Sequence, residues 1–130
     1  MSNTNISILI LDDEPIVTKR LRPALEKKGY HVESFTESTK ALERIKDHQF
    51  DIIITDLKME GISGMELLDE IKKLNPDAEL IVITGFATME TAKESFKKGV
   101  FDFLAKPFKL SEIVDVVGKA VEHLKIKKSA

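Results

Sequence analysis

Apolar residues along the chain fall into two alternating rhythms. Short runs of continuous hydrophobes read as strands buried on both sides, and between them apolar positions recur every three to four residues, as on a helix face. Ile6–Leu11 (ISILIL) is the first such run. Pro15 then suits the first turn of a helix that carries Val17, Leu21 and Leu25 on one side, with Gly29 placed to close it as a C′ residue. Tyr30–Phe35 is a weaker strand, and Ser38–His48 a helix with Ala41, Leu42 and Ile45 inward. Asp51–Thr55 (DIIIT) is again strongly apolar. Ser63-Gly64-Met65-Glu66 matches a capping box and opens a helix with Met65, Leu68 and Ile71 on its apolar side, stopped by Asn75-Pro76. Leu80–Thr84 (LIVIT) is the fourth strand. Thr88 caps a helix to about Lys98, with Ala92 and Phe96 one turn apart and Gly99 at its end. Val100–Leu104 is the fifth strand. Ser111 is placed to cap a last helix with Ile113, Val114, Val117 and Val121 inward, and Lys125–Ala130 reads as a frayed polar end.

Five βα units in succession imply an α/β fold with a parallel sheet and helices on both faces. Central strands that are apolar on both sides agree with a sheet covered twice. The expectation is a doubly wound five-stranded sheet in a single domain spanning 1–130, with no output domain visible. In such sheets the ligand site lies at the carboxyl ends of the strands.

The chain's 130 residues suit one core, and 42% hydrophobic with 32% charged residues is the profile of a globular protein. Twenty Lys+Arg against 22 Asp+Glu leave a net charge of −2, which gives no support to binding of nucleic acid or an anionic membrane. There is no cysteine, hence no disulfide, thiol chemistry or Cys-ligated metal. No apolar run approaches a membrane span, and the first residues lack the basic and apolar regions of a signal peptide. The default location is the cytoplasm.

The residues just past each strand carry the chemistry. The first strand ends in Asp12-Asp13, with Glu14 next. The third ends in Asp56, the fourth in Thr84, and Lys106 comes shortly after the fifth. In the inferred sheet these groups converge on one edge. Crowded carboxylates raise one another's pKa unless a cation offsets them. A hard divalent ion with oxygen ligands does so, and Mg²⁺ fits, whereas the lack of His and Cys at these positions argues against Zn²⁺. Asp56 is then placed as a nucleophile toward phosphorus, giving an aspartyl phosphate. Lys106 and the metal supply positive charge, and the Thr84 hydroxyl a hydrogen bond. Each residue alone has a plainer reading: the Asp pair as an N-cap, Asp56 as a turn residue, Thr84 as a strand residue, Lys106 as a surface lysine. The specificity lies in four strands each delivering a suitable group at the same end.

The segments ILILDDEP, IIITDLKMEGISGMELL, LIVITGFA and FDFLAKPF resemble, in order and spacing, the signatures of bacterial two-component response-regulator receiver domains, over about residues 6–124. The stretch from TGFAT to AKPF looks most like receivers of sigma-54-dependent activators. The resemblance implies a flavodoxin-like (βα)5 fold with strand order 2-1-3-4-5. It implies Asp56 as phosphoacceptor, Asp13 as direct metal ligand, Asp12 as the acid that binds the metal through water, and the Lys58 backbone carbonyl as a further ligand of Mg²⁺. Thr84 matches the switch hydroxyl, Lys106 the phosphate-pairing lysine and Phe103 the switch aromatic, with a cis Lys106–Pro107 peptide bond. The partners implied are a sensor histidine kinase or histidine phosphotransfer protein, and a downstream effector or a covalently linked output domain. A homodimer on activation is common in the family. The domain catalyses its own phosphorylation and dephosphorylation and is not an enzyme acting on a separate substrate. The readout surface is the fourth helix, fifth strand and fifth helix, where Lys93, Lys97 and Lys98 are candidate contacts, with a solvated helix face as the plainer reading. His31, His48 and His123 show no metal spacing and read as incidental.

Two positions depart from the family pattern. Glu60 stands where a proline is usual, and the switch aromatic is phenylalanine rather than tyrosine. Phe86, two residues past Thr84, is placed to shield the aspartyl phosphate from water. Two other classes compete. A haloacid-dehalogenase-like phosphatase needs a second acid two residues after its nucleophile, where this chain has Lys58, and a dinucleotide-binding fold needs a G-x-G-x-x-G that is absent. A receiver that no longer takes phosphate remains as an interaction module, but such chains usually lose an acid or the lysine.

Overall fold

The computed structural model describes residues 5–59 and 61–129, so Glu60 lies outside the described residues. Five strands form one sheet: β1 (Ser7–Leu11), β2 (His31–Phe35), β3 (Ile52–Thr55), β6 (Glu79–Thr84) and β7 (Asp102–Ala105). Their order is β2-β1-β3-β6-β7, and every pairing is parallel. Counting only these five, this is the expected order 2-1-3-4-5.

The helices are α1 (Pro15–Glu26), α2 (Ser38–Asp47), α3 (Gly64–Leu74), α4 (Met89–Lys97) and α5 (Leu110–Ser129). Side chains alternate across a strand, so each central strand feeds two cores. Ile8, Ile10, Ile52, Ile54, Ile81 and Ile83 pack with Leu21 and Leu25 of α1 and with Val117 and Val121 of α5. Leu9, Leu11, Ile53, Leu80 and Val82 pack on the opposite face with Ala41 and Ile45 of α2 and Leu67, Leu68 and Ile71 of α3. That double coverage explains why these strands read as unbroken apolar runs.

An element with no counterpart in the sequence reading is a two-stranded antiparallel ribbon, β4 (Lys58–Met59) and β5 (Ile62–Ser63). Two residues per strand are too few to show a period. The ribbon turns through Gly61 at φ 85° and leads into α3, where Ser63 Oγ accepts from the Glu66 N–H at 3.2 Å.

Several local expectations are corrected. The last helix begins at Leu110, so Ser111 lies in its first turn and is not the N-cap. The start is tied instead by the Lys109 N–H, which donates to Glu112 Oε1 at 2.8 Å. Its end does not fray at Lys125: it runs to Ser129, because Leu124 is buried and Lys127 reaches Glu79 at 3.3 Å. On α4, Thr88 caps the helix as the sequence suggests, with Thr91 as a reciprocal partner that the sequence reading did not name, but the buried residue is Ser95, and Phe96 is 48% exposed. Lys98 is not an open contact point, because it holds both Asp69 oxygens at 3.0 Å. His123 is not incidental: its Nδ1 meets Glu79 Oε2, whose carboxylate is buried at the start of β6.

Candidate functional site at the carboxyl edge of the sheet

The strand order reverses beside β1. Chain connections leave toward β2 on one side and toward β3 and β6 on the other, opening a crevice at the strands' carboxyl ends. Asp12 follows β1 directly and Asp56 follows β3. Both are fixed by the sheet's own hydrogen bonding: the Asp12 N–H donates to Phe35 O and the Asp56 N–H to Leu11 O, each at 3.1 Å. The two carboxylates are therefore held by rigid neighbours, and both residues are buried.

Asp13 and Glu14 continue into the exposed loop before α1. Asp12, Asp13, Glu14 and Asp56 each offer a carboxylate oxygen within 4.8 Å of the others. A cleft of about 270 Å³ is lined by Asp13, Glu14, Asp56, Lys58, Gly85, Phe86 and Lys106. Asp56 Oδ1 accepts from the Lys58 N–H at 3.1 Å, so the ribbon's first residue orients the carboxylate. The Lys58 ammonium reaches across to the Phe86 ring, 4.4 Å from its centroid.

Lys106 enters from β7 through its N–H, which donates to Thr84 O at 2.8 Å, and the Lys106–Pro107 bond is cis, as the resemblance implied. Its Nζ lies 2.8 Å from oxygens of Asp12, Asp56 and Glu14. Burial by itself lowers the pKa of this ammonium, but the surrounding carboxylates outweigh it and hold the group protonated above its ordinary range. Asp12 is pushed upward from 3.8, chiefly by burial, against the pull of Lys106 and the Glu14 N–H.

The acids fit a divalent cation. Asp12 Oδ2 is buried and, although Lys106 is 2.8 Å away, is not aligned to accept a hydrogen bond from it. A buried carboxylate oxygen short of donors, facing three other carboxylates, is what a hard cation with oxygen ligands offsets.

Thr84 ends β6, fully buried, and its Oγ1 accepts from the Phe86 N–H at 3.1 Å. It is not among the residues lining the cleft, so the hydroxyl sits beside the site, engaged with the loop. Phe103 lies opposite Val82, half-buried, against the α2–α3 core. Of the residues singled out from sequence, Asp12, Asp13, Asp56, Lys58 and Lys106 are brought together, while Thr84 and Phe103 stand one layer away. Sequence reading gave Glu14 no role, since only the fold brings it to a lysine 92 positions later.

Residues 8–118 match the family model of the response regulator receiver domain. The chain belongs to the response-regulator receiver family. The transcriptional regulatory protein ZraR of Escherichia coli O157:H7 is 33% identical over 97% of the chain, which covers 29% of that protein. The chain thus spans less than a third of this curated relative. The beryllofluoride-activated receiver domain dimer of NtrC4 is 35% identical, with a TM-score of 0.85 over 91% of this chain and 98% of that one. A response regulator protein from Burkholderia pseudomallei, solved with a phosphorylated aspartic acid, a calcium ion and citrate, is 28% identical, with a TM-score of 0.81 over 95% of this chain and 73% of that one. Receivers are signalling switches, and the acid cluster of this one is consistent with a divalent metal.

Proposed function

We propose that this receiver is the phosphoacceptor switch of a two-component system and that Asp56 takes the phosphoryl group. The observation that carries the reading is the buried Asp56 carboxylate, oriented by the Lys58 N–H and paired with Lys106 at 2.8 Å, in a cleft lined by two more acids with Asp12 beside it. An oxygen of Asp56 attacks phosphorus of a kinase's or phosphotransfer protein's phosphohistidine. The P–N bond breaks, and the electron pair leaves on the imidazole, which takes up a proton. Asp12, Asp13, Asp56 and the Lys58 carbonyl would hold Mg²⁺, which when bound neutralises charge on the transferring group. Lys106 donates to a phosphoryl oxygen. Thr84 can exchange its Phe86 partner for another, and Phe103 follows into the space beneath it.

The unit acts on itself and not on a separate substrate. It is one receiver domain, in the cytoplasm, reading out to an effector or to a covalently linked output domain, with relatives named as transcriptional regulators. The sequence likeness to receivers of sigma-54-dependent activators supports that kind of output, and the NtrC4 receiver dimer supports dimerisation on activation.

The test is incubation with acetyl phosphate with and without Mg²⁺, read by intact mass, on wild type and Asp56→Asn. A single Mg²⁺-dependent adduct, lost in the variant, is expected. An adduct that persists in Asp56→Asn rejects the site, and none on wild type favours a phosphate-independent interaction module.

A further inference from the structure

We propose that Glu14 is a displaceable counter-ion of Lys106, a placeholder that the phosphoryl group must evict. The proposal rests on the phosphoacceptor reading of Asp56 and adds a residue that sets how readily the site accepts an anion. An ammonium has three N–H donors and no acceptor. Three carboxylate oxygens already stand 2.8 Å from Lys106 Nζ, those of Glu14 and Asp56 aligned as hydrogen-bond acceptors. The Lys106 side chain is only 15% exposed, so water does little to satisfy it. With oxygens of Asp12, Asp56 and Glu14 all packed 2.8 Å around Nζ, a phosphoryl oxygen reaches Lys106 only by displacing one of them.

The three carboxylates are unequal. Asp12 is fully buried, and its other oxygen is tied to the Glu14 N–H at 2.9 Å. Asp56 is the group being phosphorylated. Glu14 is the exception: its side chain is 59% exposed and stands on the loop at the N-cap of α1. Rotating into solvent costs the Glu14 carboxylate little, because at that exposure water takes the place of its partner. The incoming anion also repels it. In the resting protein Glu14 therefore keeps Lys106 drawn into the cleft, and in the charged protein it yields the ammonium to phosphate.

The experiment uses beryllofluoride, a phosphoryl mimic, titrated into wild type, Glu14→Gln and Glu14→Asp by NMR, with Mg²⁺ saturating each variant. Mg²⁺ affinity alone is measured separately by calorimetry. Beryllofluoride affinity is expected to tighten about two- to fivefold in Glu14→Gln, the range of an ion pair with one exposed partner. Glu14→Asp, which keeps the charge but shortens the reach by one methylene, is expected to tighten as well. Mg²⁺ affinity stays within about threefold, the size of an electrostatic effect without a lost ligand. Unchanged or weaker beryllofluoride binding in Glu14→Gln overturns the role. So does Glu14→Asp indistinguishable from wild type, which would make the effect one of bulk charge. A loss of Mg²⁺ affinity of about tenfold or more would make Glu14 part of the metal site instead, as a ligand or as the support of one, and would overturn the role. If wild type itself binds no beryllofluoride, the phosphoacceptor reading fails, and this proposal falls with it.

Discussion

Asp56 and Lys106 were legible residue by residue because each follows an apolar run, and a strand end is a place that a period reveals. The contacts between side chains were not. Lys58 and Phe86 face each other at 4.4 Å across the mouth of the acid cleft, although 28 positions separate them in sequence. The ring is 53% exposed, so it covers the cleft from the solvent side, held by an ammonium instead of by core packing. Phe86→Ala should speed loss of the phosphoryl group about two- to fivefold, the scale of an exposed cation–π contact. Lys58→Met should act in the same direction, and the double variant should add little to either. Decay of the phosphorylated mass after donor removal reads this directly, and an unchanged rate in Phe86→Ala would mean the ring shields nothing.

Among elements, the β4–β5 ribbon shows how a short piece of chain steers the site. It carries Lys58 to Asp56 and then turns into α3 against the backbone of Leu57. A Cβ on Gly64 would stand 2.2 Å from the Leu57 carbonyl oxygen, with further backbone atoms at 2.6 and 2.7 Å. Backbone cannot swing aside as a side chain does. Gly64→Ala is therefore expected to destabilise the fold by about 2–3 kcal/mol, as overpacking does. Gly118, in the middle of α5, has nothing within 4 Å of the same added atom and no positive φ. Gly118→Ala should stabilise by about 0.5–1 kcal/mol through helix propensity. Urea unfolding of the two variants should thus move in opposite directions, and a shared sign would contradict this packing. Elsewhere local rules held where tertiary packing agreed with them, as at the Thr88–Thr91 cap. The apolar period also prevailed over proline's tendency to break a helix: α1 runs through Pro23, as Leu21 and Leu25 on one face required, and both are buried on either side of it.

For the molecule as a whole, folding tolerates an acidic cluster whose cost depends on pH. Asp12 has its pKa raised above 3.8 in the folded chain. Its contribution to stability is full below 3.8 and is lost as pH rises through the raised value, because ionising it in the buried site is unfavourable. Glu33 runs the other way. Its hydrogen bonds from Arg44, together with that charge, hold it below 4.5, so its contribution is present above 4.5 and fades as pH falls through the lowered value. A cation bound by the acids should repay the Asp12 cost. Mg²⁺ at about ten times its dissociation constant is expected to stabilise the protein by about 1.4 kcal/mol near pH 7. The gain should shrink as pH is lowered toward the raised Asp12 value and should be smaller in Asp13→Asn. Thermal unfolding with and without Mg²⁺ across that range tests it, and no shift at neutral pH would count against the metal site.

The layout was written in the order of residues alone. Runs of isoleucine, leucine and valine covered on both sides required a parallel sheet between two layers of helices. The acids, the hydroxyl and the lysine at the ends of those runs had to meet on one edge. Both facts are periodic and local, and they survive without knowledge of any particular contact. Packing in three dimensions settled which side chains share an atom. It drew Glu14 onto Lys106, buried Glu79 against His123 and Lys127, tied Lys98 to Asp69, and left Phe96 half exposed while Ser95 went inside. Such pairings join positions 29 to 92 residues apart or turn on a rotation of one helix. They depend on distances of a few ångströms set by packing, which no period along the chain encodes.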